Sequence, residues 1–515
     1  MSDQIDSGSA QAIGPSLSAT ASTPEKEPID RALLVVAGVV VLGAIMSILD
    51  TTVVNVAINT LAGKFHTTLP TIQWVATGYT LALATVIPLS GWIADRFGTK
   101  RLYMTSIGLF VIGSSLSGLA WSSTSIIFFR VLQGLGGGMI MPAGMTILTR
   151  AAGPNRIGRV MSIIGVPMLL GPILGPILGG WLVADVSWRW IFFINVPIGI
   201  FALIASLRVL PRDVPAHEQR LDAIGLLLLS PGLALMIYGL AETNSAGGFG
   251  SARVLVPLLA GLVLIGVFVW HALRTRAPLI DLRLFKDHTF ATSSMTLVLV
   301  AISVFGSFLL LPLYYQAVRG ESALMSGVLL APQGLGAMIA MPISGVLADR
   351  TGAGRIVPFG LIAVILSVLG LTQVGADTSY VWLSLDLFLF GIGLGFTMMP
   401  VFTGAMQSIR GPAVARASTT LNILQQTGAS IGTAILSVLL ASAISSKLGG
   451  HGTIGASAAV PPSVRAHIAP PMAAAFGQTF WWALGLLAVA FIGSLALPKR
   501  KPVVAGDEQP LPIPV

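Results

Sequence analysis

Fourteen apolar runs, each long enough to cross a lipid bilayer, leave this chain few folds to choose from. They fall near residues 33–61, 71–94, 102–120, 124–149, 160–184, 189–209, 222–242, 253–273, 290–314, 323–348, 356–374, 380–404, 417–444 and 476–497. A helix needs about 20 residues, at ~1.5 Å each, to span the hydrocarbon. In lipid every backbone N–H and C=O must be satisfied inside the protein, so such runs read as helices. Composition agrees: 54% of the 515 residues are hydrophobic and 10% are charged, against about 25% charged in soluble domains. The expected fold is all-α and integral to a membrane. There is no cysteine, which excludes disulfides, thiolate metal sites and a cysteine nucleophile.

The net charge of +9 would suit a nucleic-acid partner, but its distribution points to a bilayer instead. Of 29 Lys and Arg, six (Lys64, Arg189, Arg253, Arg319, Lys447, Arg465) fall on one side, Arg130 lies within a span, and the other 22 fall on the side of both termini. The positive-inside rule places that basic side, and both termini, in the cytoplasm. Residues 1–30 are Ser-rich, without a basic n-region or cleavage site, and read as a disordered cytoplasmic tail. A second cytoplasmic tail is expected over 499–515, opening with Lys499-Arg-Lys501 against lipid headgroups.

An internal repeat orders the spans. Pro88-x-Ser90-Gly91-x-x-Ala94-Asp95-Arg96-x-Gly98 recurs 254 residues later as Pro342-x-Ser344-Gly345-x-x-Ala348-Asp349-Arg350-x-Gly352. Gly171-x-x-x-Gly175 in the fifth span has an echo in Gly428-x-x-x-Gly432 of the thirteenth. The plan is a six-helix bundle over 31–210, two additional helices over 211–275, and a second six-helix bundle over 276–498. Parallel repeats of this kind predict a transporter with its site between two pseudosymmetric halves.

Five motifs, in order, resemble a known family. Gly91-Trp-Ile-Ala-Asp95-Arg96-Phe-Gly98-Thr-Lys100-Arg101 is similar to the loop signature of the major facilitator superfamily. Leu49-Asp50-Thr-Thr-Val-Val-Asn55-Val-Ala57 resembles the first-helix signature of its fourteen-span drug:proton antiporters. Arg130-x-x-Gln133-Gly134-x-Gly136 resembles their fourth-helix motif. Gly171-x-x-x-Gly175-Pro176-x-x-Gly179-Gly180 resembles the antiporter motif of the fifth helix, and Trp188-Arg-Trp-Ile-Phe-Phe-Ile-Asn195-Val-Pro197-Ile-Gly199 is also typical of this branch. The resemblance implies proton-driven export of amphipathic small molecules by alternating access, with protons as the coupling ion and no other cofactor.

The residues themselves favour the same reading. Asp50, Arg130 and Asp386 are the ionisable residues well inside spans, and each costs roughly 2.5–3.5 kcal/mol at mid-bilayer, which makes function the default explanation. Counted from the outer helix ends they come to a like depth, so they are the candidates for proton coupling. Asn55, Asn59, Tyr79, Gln133, Tyr314, Phe402, Asn422, Gln425 and Gln426 are the polar and aromatic candidates for lining a substrate cavity. Gly171, Gly175 and Gly179, four residues apart and joined by Pro176 and Gly180, make a flat strip for close packing, expected against the thirteenth helix or the eighth-to-tenth region.

Asp95 closes the second helix and Lys100-Arg101 open the third, where helix dipoles disfavour both signs. These charges are therefore aimed elsewhere: Asp95 toward the start of the thirteenth helix near Arg416, and Asp349, by pseudosymmetry, toward that of the fifth. With Gly91, Arg96, Gly98, Arg101 and Arg350 they form an expected latch between the halves on the cytoplasmic side. Within transport, export of an endogenous lipid, siderophore or antibiotic is the alternative to drugs. A polytopic enzyme or receptor is the third reading, and it finds no P-loop, no His-Glu-x-x-His and no signalling domain. A bacterial cytoplasmic membrane and a monomer are expected, with any periplasmic partner left open.

Overall fold

The computed structural model describes residues 30–153, 156, 159–160, 171, 174–175, 177–211, 221–243, 248–276, 278–407, 409, 413–448 and 462–499. Among these residues there are helices and no strands. The first half runs α1 (Arg31–Lys64), α2 (Leu69–Phe97), α3 (Thr99–Gly118), α4 (Ser123–Ala152), α5 (Ile177–Val186) and α6 (Trp190–Val209). Then come α7 (Ala223–Ala241) and α8 (Ala252–Arg274). The second half runs α9 (His288–Ala317), α10 (Ala331–Thr351, led in by a short helix Ala323–Leu329), α11 (Ala353–Leu371), α12 (Tyr380–Gln407), α13 (Ala413–Lys447) and α14 (Pro462–Ser494).

Local chemistry sets the boundaries. Asp30 caps α1 by accepting from Leu33 N at 2.7 Å, Ser122 and Ser125 form a reciprocal capping box on α4, and Asp287 caps α9 through Phe290 N at 2.7 Å. One glycine turns α2 into α3 and another turns α10 into α11: Gly98 at φ 97° and Gly352 at φ 84°. Other residues reach that region only with strain, which explains why the repeated motif ends in glycine both times.

Twelve helices among the described residues are long and apolar enough to cross a membrane, against the fourteen expected. The two differences have separate reasons. The helix α3 is present with 20 residues, but its Lys, Arg, Ser and Thr content keeps it below the hydropathy of the others. Most of the fifth run lies outside the described residues, which leave the shorter apolar helix Ile177–Val186.

Both halves are held together by backbone-to-backbone approach at glycines, and the pattern is repeated. A Cβ on Gly134 of α4 would sit 2.5 Å from Tyr79 O of α2, and one on Gly136 2.5 Å from Phe110 N of α3. In the second half Gly391 of α12 faces the Gln333 carbonyl of α10, and Gly393 would place a Cβ 2.6 Å from Val364 N of α11. Small residues allow this contact where lipid supplies no hydrophobic drive between helices. The strip Gly171, Gly175, Gly179 packs on Ile48, Thr52 and Val53 of α1, not on α13 as the sequence suggested. Correspondingly, Gly428 and Gly432 of α13 pack on Val298, Ala301 and Ile302 of α9. Each strip therefore serves its own half, because a flat helix face is most useful against the neighbour that stays in contact.

The two inserted helices lie along the seam between the halves. On α7, Leu229, Leu233 and Met236 join one apolar cluster with Ile87 of α2 and Ile423 and Ala434 of α13. Ser230 Oγ donates to Thr85 O at 2.6 Å, and Tyr238 stacks on Trp74 at 5.8 Å. The outer helix α8 crosses α7 at Gly261 and leaves Val256, Leu259, Val263, Val267 and Trp270 exposed, as a lipid-facing helix would.

These seams predict a contrast. Gly134→Val forces a branched side chain onto the α2 backbone and lowers stability by about 1–3 kcal/mol or prevents assembly. Gly38→Ala and Gly108→Ala, where a Cβ meets nothing within 4 Å, leave the melting temperature in detergent unchanged. Thermal size-exclusion profiles of the three variants check this.

Candidate functional site

The buried ion pair of the first half is the centre of the site. Asp50 Oδ2 on α1 accepts from Arg130 Nη1 on α4 at 2.5 Å, and both residues are 1% exposed. Arg130 is held from three further directions. Its Nε donates to Val75 O of α2 at 3.0 Å, its Nη1 also donates to Gln133 Oε1 at 2.9 Å, and its guanidinium lies 4.1 Å from the centre of the Tyr79 ring. Stacking of that kind is worth about 2 kcal/mol when desolvated. The Asp50 carboxylate is equally well served: Oδ1 accepts from Gln133 Nε2 at 2.8 Å and from Asn195 Nδ2 at 3.2 Å. Asn195 Nδ2 also donates to Ser114 Oγ of α3 at 3.1 Å, and Ser114 Oγ donates to Phe192 O at 2.9 Å.

Among the described residues the second half has no copy of this arrangement. The glycine register that matches Gly134 to Gly391 puts Leu387 and Phe390 of α12 where α4 has Arg130 and Gln133, and both are fully buried. The helix α9 carries no Asp or Glu. Similar glycine packing thus surrounds an ion pair in one half and apolar side chains at the matching positions of the other.

A second polar site lies at the basic face, the end of the bundle that carries Gly98 and Gly352. Asp95, 4% exposed, pairs with Arg416 Nε of α13 at 3.4 Å and with Arg150 of α4 at 3.7 Å. Next to it Ser90 Oγ and Thr419 Oγ1 share a hydrogen bond at 3.1 Å, and a Cβ on Gly91 would touch Thr419 Oγ1 at 3.1 Å. Ser418 Oγ donates to Pro142 O of α4 at 3.3 Å. The start of α13 is thereby fastened to both α2 and α4 across the seam. Lys100 turns the other way and donates to Leu207 O at 2.9 Å and Leu210 O at 2.7 Å, covering the open carbonyls at the end of α6.

Comparison with known proteins decides what this architecture is. The sequence profile of the Major Facilitator Superfamily matches residues 40–433. The chain belongs to the Major Facilitator Superfamily. It is therefore a multi-pass membrane transporter and not an enzyme. It is 44% identical over 494 residues to the multidrug resistance protein B homolog of Mycobacterium tuberculosis strain H37Rv, covering 92% of this chain and 91% of that one. Multidrug export protein EmrB of Escherichia coli K12 is 32% identical over 421 residues, covering 81% and 82%. In fold, the crystal structure of the human organic anion transporter MFSD10 superposes with a TM-score of 0.58 at 16% identity, over 88% of this chain and 99% of that one.

Within this facilitator the candidates from sequence separate. Asp50 and Arg130 are in direct contact, where the depth count had only placed them near one another. Asp386 is elsewhere: half-buried on α12, it accepts from Ser367 Oγ of α11 at 2.9 Å and belongs to neither polar site. Depth fixes position along a helix and says nothing about which face a residue occupies. Tyr79 and Gln133 belong to the ion-pair cluster and not to an open wall. Tyr314 is buried near the opposite face, donating to Gly375 O at 2.6 Å. Phe402 is packed in the core of the second half. Asn422, Gln425 and Gln426 are half-exposed on α13, with Asn422 donating to Ser418 O at 2.8 Å. The side chains of Asn55, Asn59 and Asp349, and Pro176 as a whole, lie outside the described residues. Arg96, Arg101 and Arg350 are exposed at the basic face, and Gly180 is half-buried on α5.

Sequence reasoning missed Asn195 and Ser114 as members of the site. The signal was present: Asn195 interrupts an apolar run, and a polar side chain inside a membrane needs a partner. It opens the second part of α6, where Pro197 has no N–H to offer the Phe193 carbonyl and the helix breaks at Ile194.

The fastening at the basic face gives a direct test. With no native cysteine to interfere, Ser90→Cys combined with Thr419→Cys places two thiols within bonding range. Mild oxidation is expected to give an intramolecular disulfide, seen as a reducible gel shift after cleavage of a protease site inserted between the halves. Neither single variant forms it.

Proposed function

We propose that this facilitator is a proton-coupled antiporter that exports drugs or other amphipathic small molecules across the cytoplasmic membrane by alternating access. The carrying observation is the Asp50 carboxylate, enclosed in one half and paired with Arg130. Coupling transport to protons needs a group that can exist in two charge states inside the membrane, and Asp50 is the carboxylate so placed at the core of the first half. Protonating it removes the attraction to Arg130, whose other partners (the Val75 carbonyl, Gln133 and the Tyr79 face) then retain the guanidinium. Proton arrival thus loosens α1 from α4 without stranding a cation, and the glycine strip of the fifth span, packed at Ile48, Thr52 and Val53, feels that motion directly. The names of the relatives from Mycobacterium tuberculosis and Escherichia coli support drugs as the exported class.

In this reading the basic face is cytoplasmic, both termini lie on that side, and fourteen spans result when α3 and the fifth run are counted. The Asp95–Arg416 pair and the Ser90–Thr419 bond hold the halves together at the cytoplasmic end. The latch must break for substrate to enter from inside.

Purified protein in vesicles, with a pH gradient imposed and a fluorescent amphipathic cation as substrate, tests the proposal. Wild-type protein accumulates the dye in proportion to the gradient. Asp50→Asn, which keeps size but carries no proton, still binds the dye and loses gradient-driven accumulation. Uptake by Asp50→Asn at the wild-type rate would rule out Asp50 as the coupling group. At the other end, Arg416→Ala removes a latch partner and raises labelling of cysteines placed on the cytoplasmic side of the cavity, by several-fold if the pair biases the two states by ~1 kcal/mol.

A further inference from the structure

We infer that Asn195, oriented by Ser114, is a positioning residue that holds the deprotonated Asp50 and sets the pH at which this transporter takes up its proton. The inference rests on the proton-coupled reading above and deepens it. The argument begins with the direction of each hydrogen bond. Ser114 has a single hydroxyl hydrogen, which it donates to Phe192 O at 2.9 Å. Toward Asn195 it can therefore only accept, which fixes the Asn195 nitrogen, and not its oxygen, at 3.1 Å from Ser114 Oγ. The other hydrogen of that amide nitrogen then points at Asp50 Oδ1, 3.2 Å away. Gln133 is oriented by the same logic: Arg130 can only donate, so Gln133 Oε1 faces Arg130 and Nε2 faces Asp50.

The carboxylate consequently receives three N–H donors, from Arg130, Gln133 and Asn195, and faces no acceptor among these partners. These three donors fill three of the roughly four lone-pair positions of a carboxylate and leave one open on Oδ2, where a proton can enter. Neutralising the carboxylate weakens all three bonds, because each donor favours the charged form. Arg130 on α4 is the charged group facing Asp50, and Tyr79 on α2 is the other titratable one. From α3 and α6 the site is faced by Ser114 and Asn195, which are neutral. Asn195 makes the longest of the three contacts, and it stands where α6 is already broken at Ile194. It therefore holds the carboxylate most loosely of the three. Ser114 and Asn195 thus do for the proton what latch residues do for the halves: they favour one state and yield to the other.

The test follows proton release on substrate binding, using purified protein in weakly buffered detergent solution with a pH indicator and an amphipathic dye as substrate. Release is measured from pH 5 to pH 9, with dye affinity and thermal stability alongside. Asn195→Leu keeps the branched shape and the number of side-chain heavy atoms and removes the donor. Loss of a donor disfavours the charged carboxylate, so the midpoint of the profile is expected to move up by about one pH unit. Ser114→Ala is a milder change that fits the same space; it frees the amide to turn and moves the midpoint in the same direction by less. Ser206→Ala, a buried α6 serine bonded only to Ala202 O of its own helix, leaves the midpoint in place. If Asn195→Leu does not fold, Ser114→Ala decides the matter. Reduced thermal stability with unmoved midpoints would overturn the inference and leave Asn195 as packing. Failure of the underlying reading is distinguishable, because Asp50→Asn would then release protons as the wild type does.

Discussion

The contact between Asp50 and Arg130 is the one on which the first half depends. Two opposite charges withdrawn from water lose several kcal/mol of solvation each, and their attraction compensates only when geometry is good and the remaining valences are filled. Here they are filled: Arg130 by a backbone carbonyl, an amide oxygen and an aromatic face, Asp50 by two amide nitrogens. Five helices contribute a group, so the pair fixes the relative positions of α1, α2, α3, α4 and α6 at one level of the membrane. Arg130 keeps a carbonyl, an amide oxygen and an aromatic face when Asp50 is neutral. Loss of Arg130 leaves the carboxylate charge to two neutral amides, so the architecture is most sensitive at Arg130.

Packing and chemistry are separable in this molecule. Gly134, Gly136 and Gly138 of α4 and Gly391, Gly393 and Gly395 of α12 solve the same problem of bringing backbones together. Side chains grafted on these two equal frames differ completely, ionic on one and aromatic or aliphatic on the other. At the matching positions the frame accepts an ion pair in one half and apolar side chains in the other.

Much of this was legible before any coordinates. Hydropathy gave the helices, the repeated Pro-x-Ser-Gly and Ala-Asp-Arg-x-Gly pattern gave the two halves, and dipole arguments led Asp95 to Arg416. The expectation for the Gly171–Gly180 strip erred on its partner, since small-residue spacing says that a helix approaches closely and not which one. Asp386 was grouped with Asp50 on depth, and depth is silent about rotation around the helix axis. Asn195 was visible inside a motif, yet its part in the site depends on a break at Ile194 and a serine 81 residues earlier, at Ser114. Such long-range pairing has no local signature.

The inserted pair of helices has a mechanical consequence. Because α7 packs on α2 and α13 together, through Ile87 and Ile423, it bears on both halves at once along a single flank. Under the alternating access proposed above, two halves tied by a wedge on one flank would open more widely on the other. Lipid on the α7 and α8 side would then meet the steadier wall.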